Sequence, residues 1–151
     1  MKYDISVISR MPQHAAVVSG QVAHGDIGPF VGQAFGQVMG ALAARGLQPD
    51  GMPFARFDFE GDGFRVEAGF PTASAVADGE VLHDIELPGG EAATTMHVGG
   101  YSEVGHAYAA LESWMGANGY ESAGAPWESY LDGPEVEQPR TLVTWPCRRR
   151  P

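Results

Sequence analysis

Ala44-Arg45-Gly46-Leu47 and Ala117-Asn118-Gly119-Tyr120 are the two stretches that decide the fold, because each ends a helical pattern and leads into a strand pattern. The residues that follow keep the same register: Gly51-Met52-Pro53-Phe54 in the first half of the chain matches Gly124-Ala125-Pro126-Trp127 in the second. Two sets of landmarks in the same order indicate an internal duplication. A functional group that one copy carries and the other lacks therefore stands out within a single sequence.

The two repeats cover about residues 3–71 and 79–146, and each has the pattern strand, strand, helix, strand, strand. Alternating or valine-rich runs predict the strands, at residues 3–9, 15–22, 53–59, 64–70, 81–87, 92–98, 127–131 and 140–145. The turn sequences at residues 60–63 and 88–91 are typical of hairpins, which pair their strands antiparallel. We therefore expect an α+β fold with an antiparallel sheet, two main helices on one face and a central ligand cleft between the repeats.

Two amphipathic helices are predicted, at residues 27–45 and at about residues 103–118. Their apolar stripes recur at helical spacing, through Val31, Phe35, Val38 and Leu42 in the first and Val104, Tyr108, Leu111 and Met115 in the second. Asp26 and Ser102 are expected to cap the helices, and Gly46 and Gly119 to end them in the left-handed conformation. Glycines at every fourth position predict a smooth face for close packing on the first helix, formed by Gly28, Gly32, Gly36 and Gly40.

Composition limits the classes of function. The 151 residues have the length of one domain, and the formal net charge of −10 disfavours direct nucleic-acid binding, which needs Lys and Arg at phosphates. The acidic balance favours cationic ligands instead. We expect a cytoplasmic protein with no membrane partner, since the chain shows no leader pattern and no run of about 18 apolar residues. One cysteine, Cys147, excludes an internal disulfide, and without metal-ligand or phosphate-binding motifs we predict no metal and no cofactor.

Glu128 is the sharpest difference between the repeats, because the matching position in the first repeat is Ala55. Strand alternation places Glu128 and Tyr130 on one face of their strand and Trp127 on the other. The first repeat has Phe57 on the corresponding face. A carboxylate among aromatic rings attracts an organic cation, and burial would raise its pKa. The alternative is a glutamate that faces solvent on an ordinary strand.

Three further polar residues are candidates. With residues 61 and 62 as a two-residue loop, Glu67 lies opposite Arg56 and forms a cross-strand ion pair; a shift of one residue would place it opposite Asp58. His97 and Tyr101 lie where a strand leads into a helix. No serine or cysteine nucleophile motif accompanies His97, so a hydrogen-bonded structural histidine is the alternative to a catalytic one.

Five short stretches resemble the GyrI-like family, also called the bacterial effector-binding domain of AraC-type and MerR-type regulators, which has a duplicated, SOUL-like fold. They are Pro53-Phe54-Ala55-Arg56-Phe57, Val66-Glu67-Ala68-Gly69-Phe70-Pro71, Leu87-Pro88-Gly89-Gly90, His97-Val98-Gly99-Gly100-Tyr101 and Trp127-Glu128-Ser129-Tyr130-Leu131. Together they cover nearly the whole chain, as a single domain over residues 1–151.

The resemblance implies a cleft for hydrophobic, often cationic or aromatic, drug-like molecules, with an acidic residue at its floor. The motif carries that role onto Glu128, with Trp127 and Tyr130 as aromatic wall residues and Glu67 as a second acid. Phe57 stands where tyrosine is common in the family, so a hydroxyl donor is missing there. His97 and Tyr101 complete the predicted ligand-binding set.

The resemblance leaves three functions open. The first is a stand-alone binding protein for lipophilic small molecules. The second is a hydrolase of reactive cyclopropane-bearing compounds, in which Glu128 is the general base and Tyr130 or His97 orients the substrate or water. The third is modulation of a DNA topoisomerase, such as gyrase, by protein interaction, and a separate transcription regulator is another candidate partner. Fold alone does not decide between them.

Overall fold

The structure, a computed structural model, describes residues 2–60 and 63–151. Its elements in chain order are β1 Ser6–Arg10, β2 Gln13–Val22, α1 Ile27–Ala44, β3 Phe54–Glu60, β4 Gly63–Pro71, β5 His83–Leu87, β6 Gly90–Val98, α2 Gly105–Ala117, β7 Tyr120–Ser122, β8 Trp127–Tyr130 and β9 Arg140–Arg149. One turn of 3-10 helix precedes each α-helix, at His24–Asp26 and Tyr101–Glu103. The predicted α+β class is confirmed, and the predicted loop residues Gly61 and Asp62 lie outside the described residues.

The chain forms two compact units. Unit 1 consists of Met1–Met11 and Gly89–Pro151, and unit 2 consists of Pro12–Pro88. The strand pairs described within each unit are all antiparallel. No helix in the described part of the chain is both long and apolar enough to cross a bilayer.

Unit 2 has the strand order β3-β4-β2-β5, and α1 packs on β2 and β4. The buried side of α1 consists of Val31, Ala34, Val38 and Leu42. The ring of Phe35 lies 5.7 Å from that of Phe70 on β4, centroid to centroid. Gly46 ends the helix with a φ of +68°, a conformation that glycine adopts without strain, so this helix stop is confirmed.

Unit 1 has the strand order β1-β6-β9-β8, with β7 paired to the far end of β9. The helix α2 packs on β6 and β9. The buried cluster between them consists of Ala93, Ala107, Leu111, Met115, Tyr120, Val143 and Cys147. Gly119, with a φ of +79°, ends α2 as predicted. The strand β7 was not predicted, because three residues are too short to show a pattern.

The predicted hairpin between β5 and β6 is wrong. β5 pairs with β2, whereas β6 has β1 on one edge and β9 on the other. Gly90 adopts a φ of +104° at the connection. A turn signal predicts a change of chain direction, but the partner of each strand is chosen by long-range burial, so the local sequence was insufficient here.

Three predictions about the helices are also wrong. Asp26 occupies the N-cap position of α1, but its side chain makes no capping hydrogen bond. Ser102 lies inside the 3-10 turn, and Val104 precedes α2. The four glycines along α1 are exposed, and an added Cβ there would meet nothing within 4 Å among the described residues. They therefore line an open helix face and not a packed one.

Candidate functional site

Glu128 is a buried acidic residue on β8, 8% exposed. It pairs with Val143 on β9, which belongs to the buried cluster under α2. Directly paired residues of an antiparallel sheet project from the same face. Glu128 therefore projects toward α2, and its carboxylate meets side chains from the helix.

Both oxygens of the Glu128 carboxylate accept hydrogen bonds from tyrosines. The Tyr108 hydroxyl on α2 donates to Oε2 at 2.7 Å, and the Tyr130 hydroxyl donates to Oε1 at 2.9 Å. Hydrogen bonds to an ionised acceptor are stronger than those between neutral groups. The pair of donors therefore fixes the carboxylate in one orientation and stabilises its charged form.

Burial raises the pKa of Glu128, and the hydrogen bonds from Tyr108 and Tyr130 and the nearby His97 act in the opposite direction. Burial likewise raises the pKa of Tyr108 and of Tyr130, and the adjacent carboxylate adds to both shifts. Among the described residues, no lysine or arginine forms an ion pair with Glu128. The carboxylate is thus a buried acid without an ion-pair partner among the lysines and arginines that the structure describes.

His97 is fully buried beside this pair. It pairs with Thr141 on β9, and Thr141 pairs in turn with Tyr130, so the three side chains form one row across the sheet. Nε2 of His97 lies 3.0 Å from the carbonyl oxygen of Gly100, and Nδ1 lies 2.9 Å from the Tyr3 hydroxyl. A carbonyl only accepts, so Nε2 carries the hydrogen, and the Tyr3 hydroxyl donates to Nδ1 in the neutral ring. Both ring nitrogens thus have hydrogen-bond partners within the protein, and the predicted ligand contact of His97 stays a prediction.

Aromatic rings surround the tyrosines that hold Glu128. Tyr101, in the 3-10 turn before α2, contacts the Tyr130 ring edge-on at 5.7 Å and donates its hydroxyl to the Asp132 carbonyl at 2.7 Å. Tyr108 contacts Trp145 on β9 in the same manner at 6.0 Å. Edge-on pairs of this kind are favourable because of the ring quadrupoles. The carboxylate therefore lies within an aromatic shell.

Trp127 lies on the opposite face of β8 from Glu128, as alternation predicts, and is 3% exposed. The guanidinium of Arg10 is stacked on its ring at 4.9 Å. Burial lowers the pKa of Arg10. The predicted role of Trp127 as a wall residue of the ligand site stays a prediction.

Glu67 and Phe57 belong to unit 2. Glu67 lies directly opposite Arg56, with 2.6 Å between Oε1 and Nη2 and a hydrogen bond from Nε at 2.8 Å. Glu67 therefore forms the cross-strand ion pair with Arg56 that the two-residue loop predicted. Phe57 packs edge-on against Phe64 at 6.5 Å. The predicted ligand contacts of Glu67 and Phe57, and the predicted cleft between the repeats, stay predictions.

Sequence reasoning missed two polar residues of this site. Tyr108 was assigned to the apolar stripe of its helix, although a tyrosine in a stripe needs a partner for its hydroxyl when buried. Thr141 has no motif around it, although it is fully buried on β9. Their proximity to Glu128 depends on pairing between distant parts of the chain.

Residues 3–147 match the GyrI-like small molecule binding domain. The chain belongs to this family. The resemblance to this family in the sequence is thereby confirmed, and the family description is that of a small-molecule binding domain. A search of curated protein sequences finds no match to this chain.

Several solved structures are similar in fold to this chain. The EcmrR C-terminal domain is 21% identical with a TM-score of 0.81, and the match covers 99% of this chain and 100% of that one. In the EcmrR–DNA complex the match, also 21% identical with a TM-score of 0.81, covers 98% of this chain but 58% of the EcmrR chain. This chain thus spans little more than half the length of that protein.

Two further structures are similar. A hydrolase from Listeria innocua is 16% identical with a TM-score of 0.72, covering 95% of this chain and 91% of that one. SAV2435, solved with bound tetraphenylphosphonium, is 14% identical with a TM-score of 0.67, covering 98% and 94%. At sequence identities this low, the structural similarity shows a common fold and nothing further.

Proposed function

We propose that this protein binds lipophilic organic cations through the carboxylate of Glu128. The observation that carries the proposal is an acid 8% exposed, held by two tyrosine hydroxyls and without a cationic partner among the described residues. A buried charge is costly unless an opposite charge compensates it. A bound cation would supply that charge, and aromatic faces around it would add cation–π attraction.

The similar SAV2435 structure supports the choice of ligand class, because its bound molecule is tetraphenylphosphonium, a delocalised aromatic cation. The formal net charge of −10 adds a long-range attraction for cations in solution. Four phenyl rings around one positive charge match a site made of a carboxylate and aromatic rings. We therefore name tetraphenylphosphonium as the first ligand to test.

The test is a titration of tetraphenylphosphonium by isothermal calorimetry into the wild type and Glu128→Gln. Glutamine keeps the shape of the side chain and removes its charge, so we expect the dissociation constant to rise about 30-fold or more. Glu112→Gln is the matched control, because Glu112 is an exposed acid on α2. Equal affinity of Glu128→Gln and the wild type would contradict the proposal.

A hydrolase is the second candidate, and the similar hydrolase from Listeria innocua favours it. Burial raises the pKa of Glu128, which makes its carboxylate a stronger base than an exposed glutamate. In this hypothesis Glu128 takes a proton from water, and the oxygen bonds to a cyclopropane carbon as a ring carbon–carbon bond breaks. The proton then goes to the carbon that keeps the electron pair, and Tyr130 or His97 orients the water or the substrate. The substrates to test are the reactive cyclopropane-bearing compounds that the family resemblance implies.

Mass spectrometry of each compound after incubation separates the two candidates. A hydrolase converts its substrate into a product with the mass of one added water, and Glu128→Gln should abolish that conversion. If the protein only binds the compound, the compound raises the melting temperature of the protein and its own mass does not change. Saturable binding with unchanged ligand mass for every compound would exclude the hydrolase.

A further inference from the structure

The hydroxyl of Thr141 is a buried polar group with no assigned role so far. Thr141 is fully buried on β9, and its Oγ1 has no hydrogen-bond partner among the described residues. Leaving a buried hydroxyl unpaired destabilises the folded state, and the large majority of buried polar side-chain atoms have a partner. A buried hydroxyl without a partner at a candidate ligand site indicates a group whose hydrogen bond a bound ligand would supply.

Thr141 is close to Glu128 in the sheet. Glu128 pairs with Val143, and Tyr130 pairs with Thr141, so Glu128 and Thr141 are diagonal neighbours on β8 and β9 that project from the same face. Diagonal neighbours of this kind are about 7–8 Å apart. A drug-sized ligand whose charge lies at Glu128 would extend across that distance.

The neighbours of Thr141 in its row already have partners for their polar atoms. His97 has the Gly100 carbonyl at one ring nitrogen and the Tyr3 hydroxyl at the other. The Tyr130 hydroxyl donates to Glu128. Thr141 is therefore the member of this row whose hydrogen-bonding capacity remains for a ligand.

We propose that Thr141 is a specificity-determining residue of the Glu128 site, whose hydroxyl hydrogen-bonds to a hydroxyl or carbonyl group of a cationic ligand. This inference rests on the proposed function. It narrows the ligand class to aromatic cations that carry a polar group several ångströms from the charge. Oγ1 of Thr141 is closed to solvent and Glu128 is buried, so ligand entry displaces the side chains that cover them.

The test compares tetraphenylphosphonium with its three monohydroxyl derivatives, in which one phenyl ring carries a 2-, 3- or 4-hydroxyl group. Each is titrated by calorimetry into the wild type, Thr141→Val and Thr141→Ser, below pH 7 so that the phenol keeps its proton. Valine has the shape of threonine without the hydroxyl, and serine keeps the hydroxyl. The quantity of interest is the ratio of dissociation constants between tetraphenylphosphonium and each derivative.

In the wild type we expect at least one derivative to bind about 3- to 10-fold more tightly than tetraphenylphosphonium, as one hydrogen bond provides. Thr141→Val should reduce that preference to less than about twofold, and Thr141→Ser should keep it. Thr141→Val should also melt at the same temperature as the wild type or higher, because it removes an unpaired buried hydroxyl.

A preference that is unchanged in Thr141→Val, or absent in the wild type, would overturn the inference. A purely structural role for Thr141 would weaken all four ligands equally and leave the ratio unchanged, so that result also counts against it. If tetraphenylphosphonium binds and depends on Glu128 while the ratio stays constant, the proposed function stands and only the role of Thr141 fails. If none of the four binds to the wild type, both proposals fail.

Discussion

Tyr108 on α2 donates its hydroxyl hydrogen to Oε2 of Glu128 on β8 at 2.7 Å, although 20 residues separate them in the chain. This contact ties the helix to the strand at Glu128, the one buried acid in the described part of unit 1. The Tyr108 side chain thus makes two contacts: its ring packs edge-on against Trp145, and its hydroxyl binds the carboxylate. The helix therefore contributes to the electrostatics of the site as well as to its packing.

Replacing Tyr108 by phenylalanine should destabilise the protein. Tyr108→Phe keeps the ring and removes one of two hydrogen bonds to the buried carboxylate, which costs about 1.5–3 kcal/mol when the acceptor is charged. Urea denaturation at pH 7.5 measures the change in the free energy of unfolding. Tyr120→Phe is the control, because Tyr120 is buried in the same unit and stacks on Trp114 through its ring. Equal losses in the two variants would contradict a special role for the Tyr108 hydroxyl.

The stability difference between the wild type and Glu128→Gln should depend on pH. Burial raises the pKa of Glu128 above its ordinary value of 4.5, so the folded state holds this proton more tightly than the unfolded state. The stabilisation from the protonated carboxyl is therefore full below about pH 4.5 and is lost as pH rises through the folded-state pKa. The side chain of the Glu128→Gln variant has no titratable group, so the variant lacks this dependence on pH.

We therefore expect the free energy of unfolding of the wild type to fall relative to Glu128→Gln as pH rises above about 4.5. Each unit by which the pKa is raised corresponds to about 1.4 kcal/mol. Urea denaturation of both proteins at half-unit steps from pH 4.5 to pH 8.5 measures the difference. A difference that stays constant, or that grows in favour of the wild type, would show that burial does not control this carboxyl.

Binding of tetraphenylphosphonium should release a proton wherever Glu128 is protonated in the free protein. A cation stabilises the ionised carboxylate, so the apparent affinity should rise with pH, by up to about tenfold per unit below the folded-state pKa. Calorimetry in phosphate and in Tris, whose heats of ionisation differ, measures the number of protons released. Glu128→Gln should release none, and a wild type whose binding heat is the same in both buffers at every pH would refute the coupling.

Two glycine substitutions in unit 2 should act in opposite directions. A Cβ added at Gly69 would lie 1.9 Å from the backbone oxygen of Ala16, which cannot move without breaking β2. We expect Gly69→Ala to lower stability by about 3 kcal/mol or more. Gly36→Ala is the matched variant, because an added Cβ there meets nothing within 4 Å among the described residues. It should raise stability by up to about 1 kcal/mol through helix propensity, and thermal melts of both variants test the pair.

Local patterns were sufficient for some elements and not for others. The stripe that includes Val38 and Leu42 predicted α1, and both residues are buried. The two-residue loop predicted the register that places Glu67 opposite Arg56, and that pair is present. These features depend on residues that are near one another in sequence. The capping role of Ser102 failed because the chain forms a 3-10 turn there.

Local sequence was enough to predict that Glu128 and Tyr130 share a face, because strand alternation is a property of the backbone. It was also enough to predict that Gly46 and Gly119 end the helices, because glycine tolerates a positive φ. Tertiary contacts were needed to show that Tyr108 reaches the carboxylate, and that Thr141 lies diagonal to it with no hydrogen-bond partner for Oγ1 among the described residues. The tertiary structure also decided that β5 pairs with β2 and not with β6. Contacts between distant segments follow from which apolar faces are buried together, and no local period encodes that choice.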